Sequence, residues 1–154
     1  MGTLFSSQQC SNLLETKPKA LPYELCMPSE DTIISYIGNA IQKLRSITKR
    51  LAVYISTDYD TPNLWLNLNA NFPNIDFVTP KATYSNSTKL VEHNQRDPII
   101  DLHLMANSNY FIGNCISSFT AFVSRMRKAN SSLEKTTVFF GDHLLKPNHL
   151  LDEL

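Results

Sequence analysis

Ser117 and Ser118 stand where an apolar run, Tyr110-Phe-Ile-Gly113, gives way to the amphipathic stretch 118–128. A strand that turns through hydroxyl residues into a helix makes an anion site. The first backbone N–H groups of a helix have no partner inside it and carry a partial positive charge, so phosphate binds there without a lysine. Two readings of the serines stand: Ser118 is an N-cap and nothing more, or the pair adds hydroxyl donors to a phosphate site. Upstream, Asp101 opens a second short apolar pattern with Leu102, Leu104 and Met105. A carboxylate at a helix start is an N-cap or a partner of the helix dipole, or else an acceptor for paired N–H donors of a ligand.

Other polar residues offer less. Asp58, at the end of the apolar run 51–56, either caps the following loop or meets a ligand. His93, His103, His143 and His149 share no helical face and no ligand spacing, so neither a metal nor catalysis is assigned to them. Cys10, Cys26 and Cys115 are odd in number and show no CxxC spacing. In an oxidising compartment they would form one disulfide and leave one thiol over, whereas in a reducing one all three would be core residues.

The elements that would position these groups alternate. Ser29 caps a helix with Glu30 and Asp31 in its first turn, Ile34, Ile37, Ile41, Leu44 and Ile47 on its apolar face, and Lys49-Arg50 at its end. Residues 51–56 read as a short strand. Thr61-Pro62 starts a second helix with Leu64, Trp65 and Leu68. Residues 75–78 form a second strand closed by Pro80, and the polar stretch 81–98 is expected to be a surface excursion. A short helix opened by Asp101, a strand over 110–113 and a helix over 118–128 follow, with Val138-Phe-Phe140 as a last strand or edge segment. This order predicts an α/β fold, a Rossmann-like parallel sheet flanked by helices. Ligands of such sheets sit at the carboxyl ends of the strands, which places the loops after 51–56 and 110–113 on one rim. The chain divides into a loop-rich lead-in with three prolines, 1–28, a Rossmann-like domain, 29–140, and an extended tail, 141–154.

At 154 residues the chain is long enough for one domain with a buried core, but small for an enzyme that must hold two substrates. Lys and Arg number 14 and Asp and Glu number 14, which excludes a broadly basic surface for nucleic acid or an anionic membrane. No apolar run reaches bilayer length, and the first residues lack the basic and apolar regions of a signal peptide. The terminal Leu-Asp-Glu-Leu nevertheless resembles a retrieval signal of the endoplasmic reticulum lumen. The two observations agree if the sequence is a carboxy-terminal piece. Asn86-Ser-Thr and Asn130-Ser-Ser are glycosylation acceptors by pattern.

Asp101-Leu-His-Leu-Met-Ala-Asn-Ser-Asn-Tyr-Phe-Ile-Gly-Asn-Cys-Ile-Ser-Ser-Phe-Thr-Ala-Phe122, with Val53-Tyr-Ile-Ser-Thr-Asp58 upstream, resembles the carboxy-terminal part of the GDP-fucose protein O-fucosyltransferases of the first type. The likeness runs along the whole chain and is most specific in the FIGNC-x-SSF-x-AF block. It implies the carboxy-terminal lobe of a GT-B glycosyltransferase and the inverting transfer of fucose from GDP-fucose to Ser or Thr hydroxyls of epidermal-growth-factor-like repeats. The setting it implies is Notch signalling, with no metal and no cofactor. It also implies that Asp101 accepts guanine N–H groups, that Ser117 and Ser118 bind the diphosphate and that Phe119 packs beside the nucleotide; as a residue of the chain itself, Phe119 is equally the first core residue of its helix. Cys10 would pair with Cys115, leaving Cys26 to a partner upstream of Met1. The family's arginine, in a His-x-Arg-x-Gly segment, is expected upstream too, since Arg45, Arg50, Arg96, Arg125 and Arg127 do not stand in that context. The fragment alone is therefore expected to be inactive. Two other readings are a non-catalytic luminal binding or folding module and another fucosyltransferase type with the same nucleotide lobe.

Overall fold

The computed structural model describes residues 27–57, 62–79, 82–85, 88–92, 97–114 and 116–141. Cys10, Cys26, Cys115, Asp58, Asn86, His93, His143, His149 and the terminal tetrapeptide lie outside them, as do most of the lead-in and tail. The chain forms two compact units, Ile34–Met105 and a second comprising Met1–Ile33 and Ala106–Leu154.

Helix α1, Glu30–Arg45, begins as its sequence dictates. Ser29 Oγ accepts the Thr32 N–H at 3.1 Å, Glu30 and Asp31 lie at the positive end, and Lys43 and Arg45 lie at the negative end. Ile37, Ala40 and Ile41 are buried at helical spacing. Ile47, expected on this apolar face, is instead 81% exposed. The helix stops two residues earlier because the N–H groups of Ile47 and Thr48 both turn back to the Leu44 carbonyl, while the Ser46 hydroxyl donates to the Lys43 carbonyl.

Strand β1, Ala52–Tyr54, lies parallel to β2, Asp76–Val78, with Val53 opposite Phe77. Helix α2, Pro62–Asn71, makes the crossover and starts at the proline, whose missing N–H costs nothing in a first turn. Leu64, Leu68, Ile75 and Phe77 form the core of this unit with the buried face of α1. The stretch expected to be a surface excursion is a hairpin, β3, Ala82–Ser85, and β4, Thr88–Glu92, which continues the sheet antiparallel in the order β1-β2-β3-β4. The parallel pairing expected of the sheet is that of β1 with β2, and the hairpin adds two antiparallel strands at its edge. β-branched and aromatic residues, Thr83, Tyr84, Thr88 and Val91, carry the strands. Helix α3, Pro98–Ala106, follows.

In the second unit β5, Phe111–Gly113, pairs parallel with β6, Thr137–Phe139, in a separate two-stranded sheet. Between them lie α4, Ser118–Ala129, and a single turn, α5, Ser131–Glu134. The expected last strand thus exists, one residue earlier than its apolar run. Thr120, Val123 and Arg127 are the buried stripe of α4. The Arg127 side chain is wholly buried and donates to the Ala106, Ser108 and Leu133 carbonyls and to the hydroxyls of Ser108, Thr136 and Thr137. Its guanidinium also lies 5.8 Å from the Phe111 ring centroid. One planar fork of donors thereby joins the end of α3, β5, α5 and β6.

Candidate functional site

The β5–α4 turn is built from short-range polar contacts. Asn114 Oδ1 accepts the Ile116 N–H at 3.1 Å, the Asn114 carbonyl accepts the Ser117 N–H at 3.1 Å, and Thr120 Oγ1 accepts the Asn114 N–H at 3.3 Å. Ser117, in an extended conformation, is the N-cap: its Oγ accepts the Thr120 N–H at 3.4 Å and its carbonyl accepts the Ala121 N–H at 2.9 Å. The cap is therefore Ser117, and the expectation that Ser118 fills that post is corrected. The side chain one residue earlier reaches the third N–H of the helix, whereas Ser118 already has helical backbone. Helix geometry gives the N–H groups of Ser118 and Phe119 no acceptor within α4. Ser118 is exposed, and Ser117 and Phe119 are half-buried beside it.

Gly113 makes this turn possible. A Cβ at that position would stand 2.2 Å from Thr120 Cγ2 and within about 3.0 Å of the Phe111 ring, so only glycine lets α4 approach β5 this closely. Phe122 is 56% exposed, because the buried stripe of α4 runs through Thr120, Val123 and Arg127.

Asp101 belongs to the other unit. It does not open its helix: α3 begins three residues earlier, with Pro98 in the first position and Asp97 Oδ1 accepting the Ile99 N–H at 2.9 Å. Asp101 is one turn in and only 3% exposed. Its Oδ1 accepts the Tyr54 hydroxyl and its Oδ2 accepts the Ser56 hydroxyl at 2.8 Å. Both donors come from the end of β1 and the residues just beyond it, two positions apart and so on one side of the extended chain. The sequence reading passed over Tyr54 and Ser56, and that two-residue period was the signal available.

Among the described residues no cluster of three His, Cys, Asp or Glu side chains could hold a metal, and no helix is long and apolar enough to cross a membrane. His103 is exposed.

Residues 2–130 match the family model of GDP-fucose protein O-fucosyltransferase. The chain is 27% identical over 148 residues to GDP-fucose protein O-fucosyltransferase 1 of Caenorhabditis elegans, an alignment covering 93% of this chain and 32% of that protein. Two crystal structures of POFUT1 in complex with GDP share its fold, with TM-scores of 0.58 and 0.60 at 24% and 23% identity. Each likeness covers 90% of this chain and 34% or 35% of that one. The chain thus spans about a third of the length of these relatives. With the family model matched over most of its length, the chain belongs to the GDP-fucose protein O-fucosyltransferase family.

Proposed function

We propose that this chain carries the GDP-recognising part of a peptide O-fucosyltransferase, which moves fucose from GDP-fucose to Ser or Thr hydroxyls of epidermal-growth-factor-like repeats. The observation that carries the reading is the α4 start: two N–H groups without helical acceptors, flanked by the hydroxyls of Ser117 and Ser118. A diphosphate is the anion that such an end stabilises, and in fucosyl transfer negative charge grows on the departing diphosphate. Phe119, half-buried at the same end, is assigned to packing beside the nucleotide. Guanine recognition is assigned to Asp101. An ionised carboxylate has about four acceptor sites, so the two hydroxyls it already takes leave capacity for guanine N–H donors.

The 154 residues contain no His-x-Arg-x-Gly, so nucleotide binding without transfer is proposed for the chain by itself. The acting site is proposed to need neither metal nor cofactor. Location in the endoplasmic reticulum lumen is proposed from Leu-Asp-Glu-Leu, with a Cys10–Cys115 disulfide and glycans on Asn86 and Asn130 as its companions. Asn130, between α4 and α5, is exposed, as a glycan acceptor must be. Titration calorimetry with GDP tests the binding, and incubation with GDP-fucose and an epidermal-growth-factor-like repeat tests the chemistry. Absence of GDP binding overturns the reading. Fucosylated product from the 154-residue chain overturns the assignment of binding without transfer, and a protein of the relatives' full length that binds GDP yet never transfers favours the non-catalytic module.

A further inference from the structure

Tyr54 and Ser56 each hold one oxygen of the buried Asp101 carboxylate, and all three residues lie within the unit Ile34–Met105. We propose that these two hydroxyls are positioning groups that fix the plane of the Asp101 carboxylate and so set the discrimination of guanine from hypoxanthine, an inference that rests on Asp101 reading the base.

Burial alone does not fix that plane. The last torsion of an aspartate joins an sp³ to an sp² carbon, and its minimum is broad and two-fold, so the carboxylate swings unless something holds both oxygens. Here the holds are independent. Tyr54 is the last residue of β1 and Ser56 follows in the next segment, with Ile55 between them anchored to the sheet through its N–H to the Val78 carbonyl at 2.8 Å. The donors are therefore tied to the strand, while Asp101 is tied to α3 through its own N–H to the Asp97 carbonyl. Strand and helix together set where the remaining acceptor sites of the two oxygens point.

Guanine presents N1–H and N2–H₂ side by side, so its recognition needs both carboxylate oxygens in the plane of the base. Hypoxanthine keeps N1–H but lacks the amino group, and a single hydrogen bond tolerates a swinging carboxylate. Loosening the plane therefore weakens a guanine nucleotide more than a hypoxanthine one. Loss of packing that merely destabilises the fold weakens both alike.

The test is calorimetry of GDP and inosine diphosphate with the 154-residue chain and with Tyr54→Phe, Ser56→Ala, Ser56→Thr and Asp101→Asn. The unaltered chain is expected to prefer GDP about tenfold or more, the worth of one hydrogen bond to a charged group. Tyr54→Phe and Ser56→Ala each shrink that preference several-fold, mainly by weakening GDP, and Ser56→Thr, which keeps the hydroxyl, retains it. If Asp101→Asn leaves the preference intact, Asp101 does not read the base, and the underlying reading and this inference both fall. If Asp101→Asn abolishes it while Tyr54→Phe and Ser56→Ala do not, base reading stands and the positioning role is overturned.

Discussion

The backbone N–H of Asp101 donates to the carbonyl of Asp97 at 3.1 Å, so the two carboxylates stand one turn apart on α3 and do different work. Asp97 caps the helix with its side chain, and Asp101 turns its side chain to Tyr54 and Ser56. Cap and buried acceptor are therefore separable by mutation.

Asp97→Ala is expected to lower stability by about 0.5–2 kcal/mol, the usual cost of losing an N-cap, with GDP affinity unchanged. Asp101→Asn is expected to weaken GDP binding by about 1–3 kcal/mol through loss of a charge-assisted acceptor. Urea unfolding and calorimetry on the same two proteins check both. An Asp97→Ala chain that loses GDP affinity while still folded would show that the two posts are not independent.

The serines divide in a similar way. Ser117→Ala removes the cap of α4 and should cost about 1 kcal/mol of stability, whereas Ser118→Ala, at an exposed helical position, should stay within about 0.5 kcal/mol of the unaltered chain. Both substitutions should weaken GDP. Normal GDP affinity in Ser118→Ala would remove that hydroxyl from the proposed phosphate site.

Arg127 supplies the largest stability effect expected in the molecule. Arg127→Met takes the shared donor from the Ala106 and Ser108 carbonyls and one of several partners from the Leu133 carbonyl and the Thr136 and Thr137 hydroxyls, which still bond one another, and it empties a fully buried guanidinium's place, so about 3 kcal/mol of stability should go with it. Arg127→Lys recovers only part, since an ammonium lacks the planar fork. Burial pushes the pKa of the guanidinium below its ordinary value. The unfolded chain then holds that proton more tightly than the folded one, so this group's contribution to stability rises with pH only in the strongly alkaline range. Around neutrality the stability gap between the unaltered chain and the Arg127→Met variant should be flat, and urea midpoints at several pH values measure it.

Gly113→Ala drives a methyl group into Thr120 Cγ2 and should destabilise the chain by about 1–3 kcal/mol. Adding Thr120→Ser removes that methyl partner and keeps the hydroxyl that accepts the Asn114 N–H, so the double variant should recover part of the loss. Strict additivity in the double-mutant cycle would show that the strand and helix do not press on each other at this point.

Much of the element order was legible because local chemistry and global packing agree. Ser29 before an isoleucine-spaced run, Thr61-Pro62 before Leu64 and Leu68, and the apolar runs into Phe77 and Gly113 all mark elements that form. The errors fall where two neighbours offer the same chemistry: Asp97 or Asp101, Ser117 or Ser118, are alike as caps by residue type, and only backbone geometry chooses between them. The β3–β4 hairpin was missed because a polar stretch without strict alternation gives no period, although Thr83, Tyr84 and Val91 favour strands. Arg127 was read as an arginine outside the expected motif. Its place along the stripe, four residues after Val123 and seven after Thr120, was visible, yet full burial of an arginine is rare enough that residue type outweighed spacing. Tyr54 and Ser56 stand inside a string that was matched as a whole, and their role emerges only when the chain brings Asp101 beside β1.

The acceptors of Arg127 lie on both sides of it in the chain, and those in Leu133, Thr136 and Thr137 are made after it at the ribosome. Until those residues emerge, the guanidinium has only Ala106 and Ser108 of this set to meet, and β5 lacks its partner strand β6. Folding during synthesis proceeds from the amino-terminal side, so the unit Ile34–Met105 can close while the β5–α4 turn is still waiting. A stop between Arg127 and Leu133 would release a chain with every candidate ligand residue present and the clasp around the serine-bearing helix missing.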